Sequence, residues 1–161
     1  MAVHKLILDD FFEEASYTLI AIYCAVEDYR LAYLLNEYLK IHLKRKPSDL
    51  DYNNGKSTFS IFEWEDQKYL TTWNLVHNVC KSEVYQKANQ QSLFNSEEKI
   101  TKTFYLIPEY KQVNYFLKID TEFEDDEEKD IIDTILKIPQ ISTAYSIDGN
   151  QLKSKNNLIF S

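Results

Sequence analysis

The sequence predicts an α+β domain in which one antiparallel sheet carries two amphipathic helices on one face. Three observations predict it. Short alternating or wholly apolar segments recur along the chain as strand candidates, and two separate stretches show helical periodicity instead. The chain has 161 residues, of which 44% are hydrophobic, which suits one core rather than two, so residues 1–161 are read as a single domain.

Residues 17–25 (YTLIAIYCA) are almost continuously apolar, as expected of a strand covered on both faces. Asp28 then stands at a helix start, and Leu31, Leu35, Tyr38 and Leu39 recur at helical spacing, so DYRLAYLLNEYL is an amphipathic helix. Residues 41–46 (IHLKRK) read as a strand with a cationic face, closed by Pro47, Ser48 and Asp49. After the turn Asn53, Asn54, Gly55, residues 59–64 and 69–79 both alternate around Glu65, Asp66 and Gln67, which predicts a β-hairpin. Residues 81–99 are rich in Gln and Asn without a clean period and read as a surface connection with one short helix. Residues 101–107 and 113–119 alternate on either side of a turn at 108–112, predicting a second hairpin. An acidic run at 122–128 leads into a helix at 130–137, stopped by Pro139, and residues 141–147 (ISTAYSI) form a final strand before Asp148 and Gly149. Two strand, helix, strand units with a hairpin inserted between them make a ferredoxin-like arrangement of split βαβ units.

Composition excludes several function classes. Two glycines cannot build a GxGxxG or GxxxxGK phosphate loop. A net charge of -8 repels nucleic acid, so no nucleic-acid partner is expected. The opening MAVHKLILDDFF resembles neither a signal peptide nor a membrane anchor, so a cytoplasmic protein without membrane contact is expected. Cys24 and Cys80 are too few for a disulfide framework and lack CxxC spacing. His4, His42 and His77 have no partner at metal-ligating spacing, and the acidic run has no EF-hand glycine, so no metal or cofactor is expected. A Cys80 and His77 dyad is disfavoured because a three-residue offset on a strand points the two to opposite faces.

Ile107, Pro108, Glu109, Val113, Asn114 and Tyr115 spell IPEYKQVNY. This segment resembles the signature of the bacterial proteins named for the pattern IPExxxVDY. The stretch EDYRLAYLLN from Glu27 to Asn36 is similar to that family as well, and the resemblance runs along nearly the whole chain. It implies a bacterial, cytoplasmic setting and brings no catalytic residue or cofactor with it. Asn114 replaces the family's Asp; an amide neither titrates nor charges a cation site, which favours a structural role for the position.

Two candidate binding sites follow. In one, Glu109 is the recognition group and Tyr115 the stacking face of a ligand loop; the competing reading is a hairpin connection stiffened by Pro108, with Asn114 bonding a nearby amide. In the other, His42, Lys44 and Lys46 form a cationic ladder on a strand, with Arg45 on the opposite face; edge protection is the competing reading. Trp64, Trp73, Phe62, Tyr69 and Tyr115 are read as packing on the sheet. With no catalytic constellation, the expected function is a non-catalytic binding or adaptor module with a protein partner at its open sheet face or edge. The alternative is a regulatory domain that senses an anionic metabolite at His42, Lys44 and Lys46.

Overall fold

A computed structural model describes residues 16–52, 54–87 and 97–160. Its strands and helices are β1 (Thr18–Cys24), α1 (Asp28–Leu39), β2 (Lys44–Arg45), β3 (Leu50–Tyr52), β4 (Ser57–Phe59), β5 (Ile61–Asp66), β6 (Thr71–His77), β7 (Val79–Lys87), β8 (Glu97–Tyr105), β9 (Tyr115–Ile119), α2 (Asp125–Leu136) and β10 (Ile141–Ile147). Short 3-10 turns at Pro108–Tyr110, Gly149–Gln151 and Lys155–Leu158 complete the described chain.

Six strands form the main sheet in the order β10-β1-β9-β6-β5-β2, and every neighbouring pair is antiparallel. β1 and β6 therefore run parallel with β9 between them, and β9 and β10 run parallel with β1 between them. These are two interleaved split βαβ units, with α1 in the first crossover and α2 in the second. β2 to β5 are inserted after α1, and β7 pairs with β8 as a separate two-stranded ribbon between β6 and β9.

The helices share one face, as their single apolar stripes require. Leu31 and Leu35 of α1 and Ile135 of α2 pack on Ile20, Ile22, Leu75 and Leu117 of the sheet. The opposite face is not open, contrary to expectation. Leu19, Ala21, Val76 and Phe116 are covered there by Phe59, Leu106, Ile107, Val113, Leu152 and Leu158. Strands buried on both faces explain the near-continuous apolar run of β1. Two contacts fasten the C-terminal segment of this cover. Lys118 donates to the Leu158 carbonyl at 2.8 Å and sits over the rings of Tyr17 and Phe160, while Gly149 lies so close to the Tyr17 ring that any Cβ would clash.

Trp64 and Trp73 face each other across the β5–β6 hairpin, as the alternation predicts, with ring centroids 6.0 Å apart. Four expectations need correction. First, the strand at 41–46 shrinks to Lys44–Arg45. Lys40 ends α1 in the left-handed conformation (φ 58°), and the Asn36 side chain brackets Leu43, accepting from its N–H and donating to its carbonyl. Those bonds replace a strand partner there. Second, β7 and β8 occupy much of the stretch read as a connection with a short helix; residues 88–96 lie outside the described residues. Third, β8 pairs with β7 rather than with β9, which inserts between β1 and β6. Alternation assigns a strand its faces but not its partner. Fourth, α2 starts at Asp125, inside the acidic run, because carboxylates are favourable at a helix N-terminus. The reading of MAVHKLILDDFF and His4 falls outside the described residues.

Ile135 is fully buried between α2 and the sheet. Ile135→Asp places an unpaired charge there and is expected to cost at least about 3 kcal/mol, read as loss of the cooperative transition in a urea or thermal melt followed by circular dichroism.

Candidate functional site

The IPEYKQVNY segment connects β8 to β9, and almost every group in it is engaged by the rest of the chain. Ile107 and Val113 are fully buried under the sheet. Pro108 opens the 3-10 turn, where its missing N–H costs nothing and its fixed φ suits the geometry. The Glu109 carboxylate accepts from the Ser154 hydroxyl at 2.7 Å and the Ser154 N–H at 3.1 Å, tying the segment to the C-terminal turns. Burial opposes its ionisation, but the Ser154 donors together with the backbone amides of Glu109 and Lys153 prevail and hold the carboxyl below its usual value.

Asn78, between β6 and β7, is the hub of this arrangement and has no exposed surface. Its Nδ2 donates to the carbonyls of Tyr110 (2.8 Å) and Val113 (2.9 Å), and its Oδ1 accepts from the Ile107 N–H (2.8 Å). Its backbone N–H donates to the Asn114 carbonyl and its carbonyl accepts from the Leu106 N–H, both at 2.9 Å. One amide side chain thus holds both ends and the middle of the turn. Nothing in the sequence marks Asn78; its only signal is a polar residue interrupting an apolar run.

Asn114 works in the same way. Its N–H donates to the Ile22 carbonyl (3.2 Å), and its Oδ1 accepts from the Cys24 N–H (3.0 Å), at the point where the β1–β10 register shifts. The Cys24 amide would otherwise lose its ladder partner, and a carboxylate oxygen at this position could accept the same bond.

Tyr115 is buried rather than offered to a ligand. Its hydroxyl donates to the Val26 carbonyl at 2.7 Å, and its ring stacks on His77 with centroids 4.6 Å apart and planes 15° apart. Burial above all, with Cys24, Asp28 and Glu27 nearby, pushes the phenol well above its usual value. The segment from Glu27 and the IPEYKQVNY segment therefore meet at the β1–α1 junction. A row of polar groups lies there on the helix side: Tyr115, His77 and Ser60, with Asp28 of α1 beside them. Burial works against the Asp28 anion. The Ser60 hydroxyl, buried and short of normal hydrogen-bond geometry, together with Arg45 and the Tyr29 amide, outweighs it and lowers the carboxyl. His77 is lowered by burial and partly restored by Asp28.

His42, Lys44 and Lys46 do not form a ladder, because His42 precedes the two-residue β2. His42 packs edge-on against Trp64, Lys46 pairs with Glu63 at 3.3 Å, and Arg45 bridges Asp28 and Asp49. Lys44 shares a shallow depression with Glu63 and Glu65, so the surface is of mixed charge rather than cationic. Cys80 lies on the opposite side of the sheet from His77, its sulfur accepting from the Thr58 N–H at 3.4 Å. Among the described residues no three His, Cys, Asp or Glu side chains gather as a metal-ligating group, and no helix is long and apolar enough to cross a membrane.

The fold and this segment define an α+β sandwich whose signature-like turn holds the sheet, the ribbon and the C-terminal cover together. No protein-family model, curated protein or solved structure matches the chain.

Asn78→Ala leaves the buried Ile107 N–H and Val113 carbonyl without partners, so it is expected to lose about 3 kcal/mol or more, whereas Asn114→Asp retains its acceptor and is expected to stay within about 1 kcal/mol; urea titrations of the two variants check this contrast. A second expectation concerns pH. The native His77 pKa is depressed, so as pH drops below the ordinary value of about 6.5 the unfolded chain binds a proton that the native state does not. Stability accordingly declines until the native value is passed. Asp28 and Glu109, with lowered native values, add their own loss only at lower pH, below about 4.5. His77→Phe keeps the ring stack without the titration, and its melting temperature should be flatter than that of the parent between about pH 6.5 and 5.

Proposed function

We propose that this protein is a non-catalytic binding module that recruits another polypeptide, and that the exposed face of α1 is the recruiting surface. The observation that carries this reading is a pair of tyrosines one helical turn apart. Tyr29 is 65% exposed and Tyr33 62% exposed, while Leu31, Ala32 and Leu35 on the other side of the same helix are buried. Neither tyrosine ring stacks on another aromatic side chain among the described residues. Tyrosine combines large apolar area with a polar tip and few rotatable bonds, and it is enriched where proteins bind each other.

Kinship with the IPExxxVDY proteins belongs to the same proposal. Of the two segments that carry the resemblance, IPEYKQVNY bonds through Tyr115 to the carbonyl of Val26, the residue immediately before the segment Glu27 to Asn36. In this reading the motif orients α1, and α1 meets the partner. A cytoplasmic setting accompanies it. The anionic-metabolite alternative has less support, since Glu63 and Glu65 flank His42, Lys44 and Lys46.

The test is quantitative affinity capture from a native-host extract with the parent protein and a Tyr29→Ser, Tyr33→Ser variant. The variant should melt within a few degrees of the parent, about what exposed substitutions cost, and should lose its specific partner at least about tenfold. Equal retention by both proteins, or a saturable thermal shift with phosphorylated metabolites that Lys44→Glu removes, overturns the reading.

A further inference from the structure

The two edges of the main sheet are treated in opposite ways. At one edge, β2 is two residues long and is followed by Lys46 and Pro47, so charge and a missing N–H guard it. At the other, β10 is seven residues long, and residues 138–147 carry no charged side chain at all. Ser142, Thr143, Tyr145 and Ser146 are exposed, and among the described residues no strand pairs with the outer side of β10. One irregularity, opposite Tyr23 and Cys24, blunts only the start of the strand.

The direction of the free backbone groups can be read from the ladder. The Asn78 N–H donates to the Asn114 carbonyl, and the Asp120 N–H to that of Thr72, so the even-numbered residues of β9 bond toward β6. The odd-numbered residues of β9 therefore bond toward β1, so Ile22, paired with Tyr115, turns its backbone groups toward β9. Ala144, opposite Ile22, then turns its N–H and C=O away from β1, as does Ser146. The sequence ISTAYSI is also nearly palindromic about Ala144. Two copies paired antiparallel about that residue set Ile141 against Ile147, Ser142 against Ser146, Thr143 against Tyr145, and Ala144 against itself. The self-complementary register is thus one in which Ala144 meets its symmetry mate with free donors and acceptors on both sides.

We propose that β10 is the contact through which two copies of this chain associate, extending the sheet across a two-fold axis at Ala144. Thr143 beside Tyr145 is a favourable β-branched and aromatic cross-strand pair, and the Tyr145 hydroxyl is already positioned by that of Tyr23 at 2.8 Å. The shared edge is only about 24 Å long, which places the contact in the small, reversible class. Charge regulates it. α2 packs over β10 and carries six acidic residues and one lysine, so two copies bring like charge near the axis, and added salt strengthens the pairing. A basic partner strand on the same edge would show the reverse dependence. This association uses a different surface from the α1 face and stands independently of it.

The experiment is sedimentation velocity of the full chain at roughly 0.3 mM, in the range where weak pairs are populated, with salt raised from about 50 to 500 mM. The dimer fraction should rise with salt, and the apparent association constant should drop at least about tenfold for Ser146→Glu, an exposed substitution that adds to the like charge at the axis and whose fold is checked by its melting temperature. A mixture of Thr143→Cys and Tyr145→Cys chains should form the 143–145 disulfide on mild oxidation, since facing residues without ladder bonds lie within bridging distance. A monomer at every salt concentration, a dimer that Ser146→Glu leaves intact, or capture of a lysine-rich strand peptide at low salt in place of self-association overturns the proposal.

Discussion

Asn78 is the interaction on which the rest of the structure leans. It lies where three pieces meet: the end of β6, the base of the β7–β8 ribbon and the turn that carries IPEYKQVNY. Around it the groups are apolar, with Ile107, Val113 and Leu106 fully or almost fully buried. A polar amide in such surroundings is costly unless every bond is made, and here the side chain donates two and accepts one. The same network that would be a liability if half satisfied therefore specifies a single path for the backbone. A two-stranded ribbon is marginal by itself, and the Asn78 carbonyl to Leu106 N–H bond closes its base against the main sheet.

The IPEYKQVNY segment is consequently committed to cohesion. Glu109 holds Ser154, Asn114 supplies the acceptor missing beside Cys24, and Tyr115 ties the sheet to the start of α1 while stacking on His77. The surfaces proposed for interaction lie on the outside: the two tyrosines of α1, within the stretch Glu27 to Asn36, and the uncharged edge of β10, which no motif marks. Both are features of presentation, since tyrosines on a helix or serines on a strand acquire meaning only once the fold shows what does not cover them.

The chain's acidity acts on these two surfaces differently. On the α1 face, Asp28 shares the Arg45 guanidinium with Asp49, so the exposed tyrosines stand beside a carboxylate held in an ion pair. Along α2 the acids stabilise the helix start and remain in solvent near β10, where they oppose close approach of a like-charged body. Net charge thus favours a dispersed protein, and local neutrality at one edge is the exception to it.

The sequence by itself determined the α+β class, the two amphipathic helices on one face, β1, β10, the β5–β6 hairpin with Trp64 facing Trp73, and the turn at Pro108. Each is encoded locally, in a period of 2 or 3.6 or in a breaker that acts on its own neighbours. Tertiary structure alone decided that β9 sits between β1 and β6 instead of pairing with β8, that the second sheet face is covered, and that Asn36 takes over the backbone bonds of Leu43. It also decided that Glu109 bonds Ser154 and Tyr115 bonds Val26. The physical reason is the same in each case. Alternation states which way a side chain points but not what stands opposite, and a hydrogen bond between residues far apart in the chain, such as those of Asn78, leaves no period to read.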